Sequence, residues 1–328
     1  MAITLSPMKS PLSRRSFCLS TLLGTASLAA LTELTPERAL GIGPFQRSNS
    51  PRLRLGLAAY SFRDFFPGAK KKKGAPDAPA VPVDKTIDMV SFIDYCAEQG
   101  WDGAELTSYY FPPDATDAYF LDIRRHAHLR GVTLSGTAVG NNFTFPAGPR
   151  RDQEIASVKK WVDRASLMGM PHIRVFGGEK PKDLTLEEAR ANCLSALEEV
   201  GAHAAQKGVF LGIENHGGIV ADAEAILKIL QEVKNPWIGI NLDTGNFHTE
   251  DPFMDLERCA PYAVNVQYKA EMRAKGEPVK PADMARVIRI LRKARYQGFF
   301  TLEYESAPSP WEAVPRILAQ MRTELAKA

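Results

Sequence analysis

From Leu53 onward, short apolar runs alternate with amphipathic stretches eight times, and that beat leaves few folds open. The runs LRLGLAAYSF, DGAELTS, VTLSGTAVG and HIRVFGG are followed by helical patterns over 84–99, 117–130, 152–168 and 185–207. Further strands are expected at 209–215, 238–244, 264–269 and 298–305, with helices at 221–233, 252–260, 281–296 and 310–327. Eight strand–helix units predict an α/β protein whose single domain, 53–328, is a (β/α)8 barrel, also called a TIM barrel. A doubly wound open sheet rarely alternates so often without a long interruption. No G-x-G-x-x-G follows the first strand and no G-x-x-x-x-G-K-[ST] occurs, so dinucleotide and P-loop sites lack their phosphate-binding turns.

Four of the expected strands end on an acidic or amide residue: Glu214 in GIEN, Asp243 in NLDTGN, Gln267 in NVQYK and Glu303 in TLEYE. A barrel brings all its strand ends to one rim, so residues far apart in sequence meet there. Three carboxylates crowded at one rim repel unless a cation compensates them, which points to a divalent-metal site. Alternation within the strands agrees. Asn265, Gln267 and Lys269 share one face, as do Thr301, Glu303 and Glu305, and as do Gly212, Glu214 and His216. A strand buried on both sides for structure alone would be apolar throughout. His216 is then a substrate contact or a hydrogen-bonding support. Lys269 and Arg273 are clamps for a hydroxyl or carboxylate, or partners of acidic neighbours. Glu105, at the second strand's end, supports the others, and Asn141 and Asn142 either form a turn or reach the ligand.

The formal net charge of +3 is too small to argue for nucleic acid. Four lysines at 70–73 sit among Gly, Pro and Ala, which reads as a solvated loop, with a substrate-covering lid as the alternative. The first forty residues differ in character. Arg14, Arg15 and Phe17 precede a weakly apolar stretch at 21–31, and this resembles a twin-arginine export signal, with Cys18 where a leucine is usual. Residues 1–40 are therefore expected to be a leader, 41–52 a linker, and the destination the periplasm by way of the twin-arginine machinery. The stretch is short for a membrane span of about 20 residues. Cys96, Cys193 and Cys259 fall in helical patterns at no metal-binding spacing and are expected as buried thiols.

With these motifs in order, the chain from about 53 to 327 resembles the sugar phosphate isomerase/epimerase family, the xylose isomerase-like barrels. The resemblance implies metal ligation by Glu214, Asp243, Gln267 and Glu303, with Gln267 standing where the family has a histidine. A neutral amide oxygen there favours Mn²⁺ or Mg²⁺, with Co²⁺ or Zn²⁺ as alternatives. Asn246 stands where ketose epimerases often have a substrate-contacting histidine, and His248 lies close enough to substitute. The implied activity is an isomerase or epimerase acting on a sugar or polyol through an enediolate, with Glu214 and Glu303 moving the proton. The same site expelling a β-hydroxyl would be a dehydratase or lyase on a keto-sugar or inosose. A non-catalytic exported carbohydrate binder is the third reading. A phosphodiesterase of the endonuclease IV type is disfavoured: the chain has only six histidines and lacks the charge footprint for DNA. Expected partners are the small-molecule substrate, the export machinery and, as an option, further copies of the chain, with no nucleic acid.

Overall fold

The computed structural model describes residues 41–67 and 86–327. The expected export signal and the lysines at 70–73 lie outside the described residues. Among the described residues, ten strands occur in chain order. Eight are β1 (Arg52–Ala58), β2 (Gly103–Thr107), β3 (Thr133–Ala138), β4 (His172–Phe176), β5 (Phe210–Glu214), β6 (Ile238–Asp243), β7 (Ala263–Tyr268) and β10 (Gln297–Leu302). The other two, β8 (Glu271–Met272) and β9 (Lys280–Pro281), form a small antiparallel ribbon. The eight longer strands close a barrel in the order β1-β10-β7-β6-β5-β4-β3-β2, every pair parallel. The closing seam joins β1 to β10, with Leu55 opposite Phe300 and Leu57 opposite Leu302.

The helices are α1 (Met89–Gln99), α2 (Asp117–Leu129), α3 (Pro149–Met168), α4 (Leu186–Lys207), α5 (Ala223–Glu232), α6 (Pro252–Cys259), α7 (Met284–Lys293) and α8 (Pro310–Ala326). Outward-facing Leu57, Ile213, Ile240, Val266 and Phe300 meet Val162, Leu197, Ile229, Leu291 and Val314 in the layer between sheet and helices. Each such side chain contributes about 1.5–3 kcal/mol by leaving water. Aromatic packing reinforces the seam. Phe62, after β1, lies edge-on to Tyr95 of α1 at 5.1 Å and to Trp311 of α8 at 4.8 Å. The first and last units are thus held together by rings as well as by β1–β10 pairing.

Several boundaries differ from the sequence reading, each for a local reason. α1 begins at Met89 because Asp88 and Ser91 form a capping box. α7 begins at Met284, not 281, because the Asp283 carboxylate accepts from the Arg286 backbone N–H, which leaves Pro281 in the ribbon. Residues 41–50, part of the expected 41–52 linker, lie along the barrel: the Ile42 N–H donates to Leu230 O and the Phe45 N–H to Pro261 O. The Arg47 guanidinium adds a bond to Ala263 O at 2.5 Å. Cys96, Cys193 and Cys259 are buried free thiols, and Trp101 is core. Among the described residues, no helix is long and apolar enough to cross a membrane.

Candidate active site

Register decides which side chains meet inside the barrel. Asp243 stands opposite Gln267, Gln267 opposite Thr301, and Asn241 opposite both Glu214 and Asn265. Lys269 and Glu303 follow two residues later on their strands, so both project at the rim, and the Glu303 N–H is bonded to Tyr268 O. This offset separates the polar interior into a buried amide ring and a charged cup above it.

The ring is made of Glu105, Gln267, Asn241 and Asn265. The Gln267 Nε2 donates to Glu105 Oε1 at 2.6 Å, and its Oε1 accepts from Asn241 Nδ2, also at 2.6 Å. Asn265 Nδ2 closes the circuit, donating to Asn241 Oδ1 at 2.8 Å and to Glu105 Oε2 at 2.9 Å. The carboxylate accepts and cannot donate, so it fixes the orientation of every amide around it. Burial and the nearby Glu303 raise the Glu105 pKa to about 7, against the bonds from Gln267 and Asn265.

The cup holds acids and two cations. Lys269 Nζ lies 3.0 Å from Glu303 Oε1 and 3.3 Å from Asp243 Oδ2, and it also contacts Glu305. Burial pulls the lysine pKa down, but Asp243, Glu303 and Glu305 outweigh it, leaving the ammonium firmly protonated. Glu214 is held separately. Its Oε2 is 2.8 Å from Arg174 Nε, and its Oε1 accepts from Asn246 Nδ2 at 2.8 Å. Burial opposes ionisation of the guanidinium, and the Glu214 charge more than restores it. Burial raises the Glu214 pKa to about 7 despite Arg174, and raises Asp243 to about 7 despite Lys269. The rim around Gly245, Asn246, Lys269 and Glu305 encloses a hollow of about 140 Å³.

The remaining expected residues are placed as follows. His216 lies against Phe176, ring centroids 4.9 Å apart, and the other contact of that ring is the Arg174 guanidinium at 4.1 Å. His248 and Arg273 meet each other, Nδ1 to Nη2 at 3.5 Å. Asn142 makes its bonds within its own loop: Oδ1 accepts from the Thr144 N–H and hydroxyl, and Nδ2 donates to Glu179 O. Asn141 likewise pairs both side-chain ends with the Phe176 backbone. Sequence reasoning missed Arg174, His172 and Asn241, and it placed Asn265 on the inward face without a role. The signal was present in HIRVF, where a cation and an imidazole two residues apart share the inward face of an otherwise apolar strand.

His172 gives a pH prediction. Its Nδ1 is 2.8 Å from Ser135 O, and the residue is 3% exposed. A Cβ on Gly136 would fall 1.9 Å from the ring, so only glycine leaves the ring its place. Burial lowers the pKa from 6.5 to about 4. Between those values the unfolded chain binds a proton that the folded one refuses. The residue's contribution is therefore complete above pH 6.5 and is lost as the pH falls toward 4, amounting to about 3 kcal/mol in all. In urea titrations, His172→Gln should lose about 2 kcal/mol less than the parent chain between neutral pH and about pH 5. Parallel curves would mean that the imidazole is protonated in the folded state.

The side chains that the resemblance assigns to a metal have protein partners: Arg174 and Asn246 for Glu214, Lys269 for Glu303, and Asn241 and Glu105 for Gln267, while Asp243 Oδ2 makes no hydrogen bond among the described residues and pairs with Lys269 only as an ion pair at 3.3 Å. Among the described residues, no group of three or more His, Cys, Asp or Glu side chains is arranged to hold an ion.

Solved structures share the fold. A xylose isomerase domain protein from Planctomyces limnophilus aligns over 85% of this chain and 100% of its own, with a TM-score of 0.62 and 16% identity. The 3-keto-D-glucoside 4-epimerase from E. coli aligns over 83% of this chain and 100% of its own, at 0.61 and 14%. The D-psicose 3-epimerase from Clostridium cellulolyticum H10, solved with D-tagatose, covers 81% of this chain and 90% of its own, at 0.61 and 14%. Comparison with curated protein sequences gives no match. The profile described as xylose isomerase-like TIM barrel matches residues 93–323, and with the closed eight-stranded barrel around it, the chain belongs to that family.

Proposed function

We propose that the chain is a sugar-modifying enzyme, an epimerase or isomerase, that moves a proton on the carbon next to a carbonyl. The observation that carries this reading is a pair of buried carboxylates at the barrel's C-terminal rim, each with its own cation: Glu303 with Lys269, and Glu214 with Arg174. Its structural neighbours named as epimerases, of 3-keto-D-glucoside and of D-psicose, support it.

The chemistry follows from the residues in place. A keto-sugar in the rim hollow would accept a hydrogen bond from the Asn246 amide and lie beside the Lys269 ammonium, whose donors face Asp243, Glu303 and Glu305. The Glu303 carboxylate takes the carbon-bound proton, and the electron pair of the broken C–H bond moves to the carbonyl oxygen. Lys269 beside Glu303 stabilises the negative charge that forms there, and burial strengthens that interaction. Glu214, whose pKa is raised to about 7, holds a proton at neutral pH often enough to return it to the opposite face. Glu303 then releases its proton to solvent and Glu214 takes one up. A Mn²⁺ or Mg²⁺ ion was expected from the resemblance; the steps above use the chain's own residues instead.

A dehydratase is the second reading, favoured by the likeness to a probable 3-DHS dehydratase from Bacillus anthracis, at 15% identity and a TM-score of 0.58. Incubation in D₂O with ketoses, 3-keto-sugars and inososes tests both. Deuterium at the carbon beside the carbonyl is expected, with the skeleton intact for an epimerase and one water lost for a dehydratase. No exchange with any of the three classes would overturn the proposal.

A further inference from the structure

We propose that the Lys269 ammonium is the resident cation of the cup, standing where the resemblance implied a divalent ion. The lysine is seated from end to end. Its backbone N–H donates to Thr244 Oγ1 at 2.9 Å. Its stem passes Gly245 so closely that a Cβ there would lie 2.6 Å from Lys269 Cγ and 2.7 Å from Cβ. Its head touches Asp243, Glu303 and Glu305, and the residue is only 8% exposed. A surface lysine that had drifted toward acidic neighbours would have neither the backbone bond nor the glycine beneath its stem.

The fourth implied ligand has been turned to other work. Glu105 accepts from the Gln267 amide nitrogen, so the Gln267 oxygen faces Asn241 and takes a hydrogen bond at 2.6 Å. Turning that oxygen to an ion would break two buried hydrogen bonds, each costly to leave unmade. Glutamine meets both neighbours with one planar amide, its nitrogen toward Glu105 and its oxygen toward Asn241. The glutamine substitution and the buried lysine therefore belong to one rearrangement: the amide joins the ring below, and the positive charge comes from the chain itself.

The inference rests on the proposed function only in assigning the reaction to this cup. Its test reads ions rather than turnover, so the two can fail separately. The full-length protein, purified without chelator, is dialysed against Mn²⁺, Mg²⁺, Co²⁺ or Zn²⁺, gel-filtered and analysed for metal, and its Tm is measured with each ion and with EDTA. No stoichiometric ion and an unmoved Tm are expected. An ion bound one per chain, raising Tm with its concentration and lost in Asp243→Asn, would overturn the inference. An ion that survives Asp243→Asn sits elsewhere and leaves Lys269 in its role. If the deuterium exchange above is found, it should persist undiminished in EDTA.

Discussion

Glu303→Gln should lower proton exchange at the substrate's α-carbon by about 10²–10⁴-fold, the usual contribution of a positioned general base. The amide has the shape of the carboxylate but almost no affinity for a proton. Its oxygen still accepts from Lys269, which keeps Asp243 and Glu305 as partners. The fold should therefore hold, and far-UV CD with the urea midpoint checks that. Solvent-deuterium incorporation undiminished in a folded variant would remove Glu303 from its role.

The barrel was legible because both of its periodicities are long-range averages. Eight repeats of apolar run and amphipathic stretch survive errors of a few residues at any one boundary. The rim carboxylates were legible for a related reason: the fold dictates that strand ends converge, so Asp243 and Glu303 had to be neighbours. What each carboxylate would pair with was not dictated. Glu105 and Gln267 are 162 residues apart and meet across the barrel's interior, through side-chain geometry that no local pattern encodes. Lys269 was visible as a cation on the inward face, and of its two readings, substrate clamp or partner of acidic neighbours, the structure shows the second, with Asp243, Glu303 and Glu305. Arg174 was passed over because HIRVF scores as a strand whatever its third residue does. The ribbon of β8 and β9 escaped because two residues per strand carry no periodicity. The docking of 41–50 escaped because backbone hydrogen bonds, not an apolar pattern, make up much of it.

Arg174→Leu should cost about 3–5 kcal/mol of stability, because it leaves the Glu214 charge buried without its cation. Glu214 is 4% exposed and keeps the Asn246 amide as a donor. The change also frees Val139 O, which accepts from Arg174 Nη1 at 2.8 Å, for about 1 kcal/mol more. At about 2–4 °C per kcal/mol for chains of 150–250 residues, Tm should fall by roughly 10 °C. An unpaired buried carboxylate escapes its penalty by binding a proton, and Glu214 is already raised to about 7 beside Arg174, so the deficit should be largest above pH 7 and shrink as the pH falls through 7. The double variant Arg174→Leu with Glu214→Gln should recover much of the loss, since a neutral amide has no charge to strand. Removing the acid alone tells the complementary story, leaving an arginine buried against Phe176 without its counter-charge. If Arg174→Leu and the double variant were equally unstable at every pH, the arginine would be acting through its packing on Phe176. The pairing with Glu214 would then contribute nothing measurable to the fold.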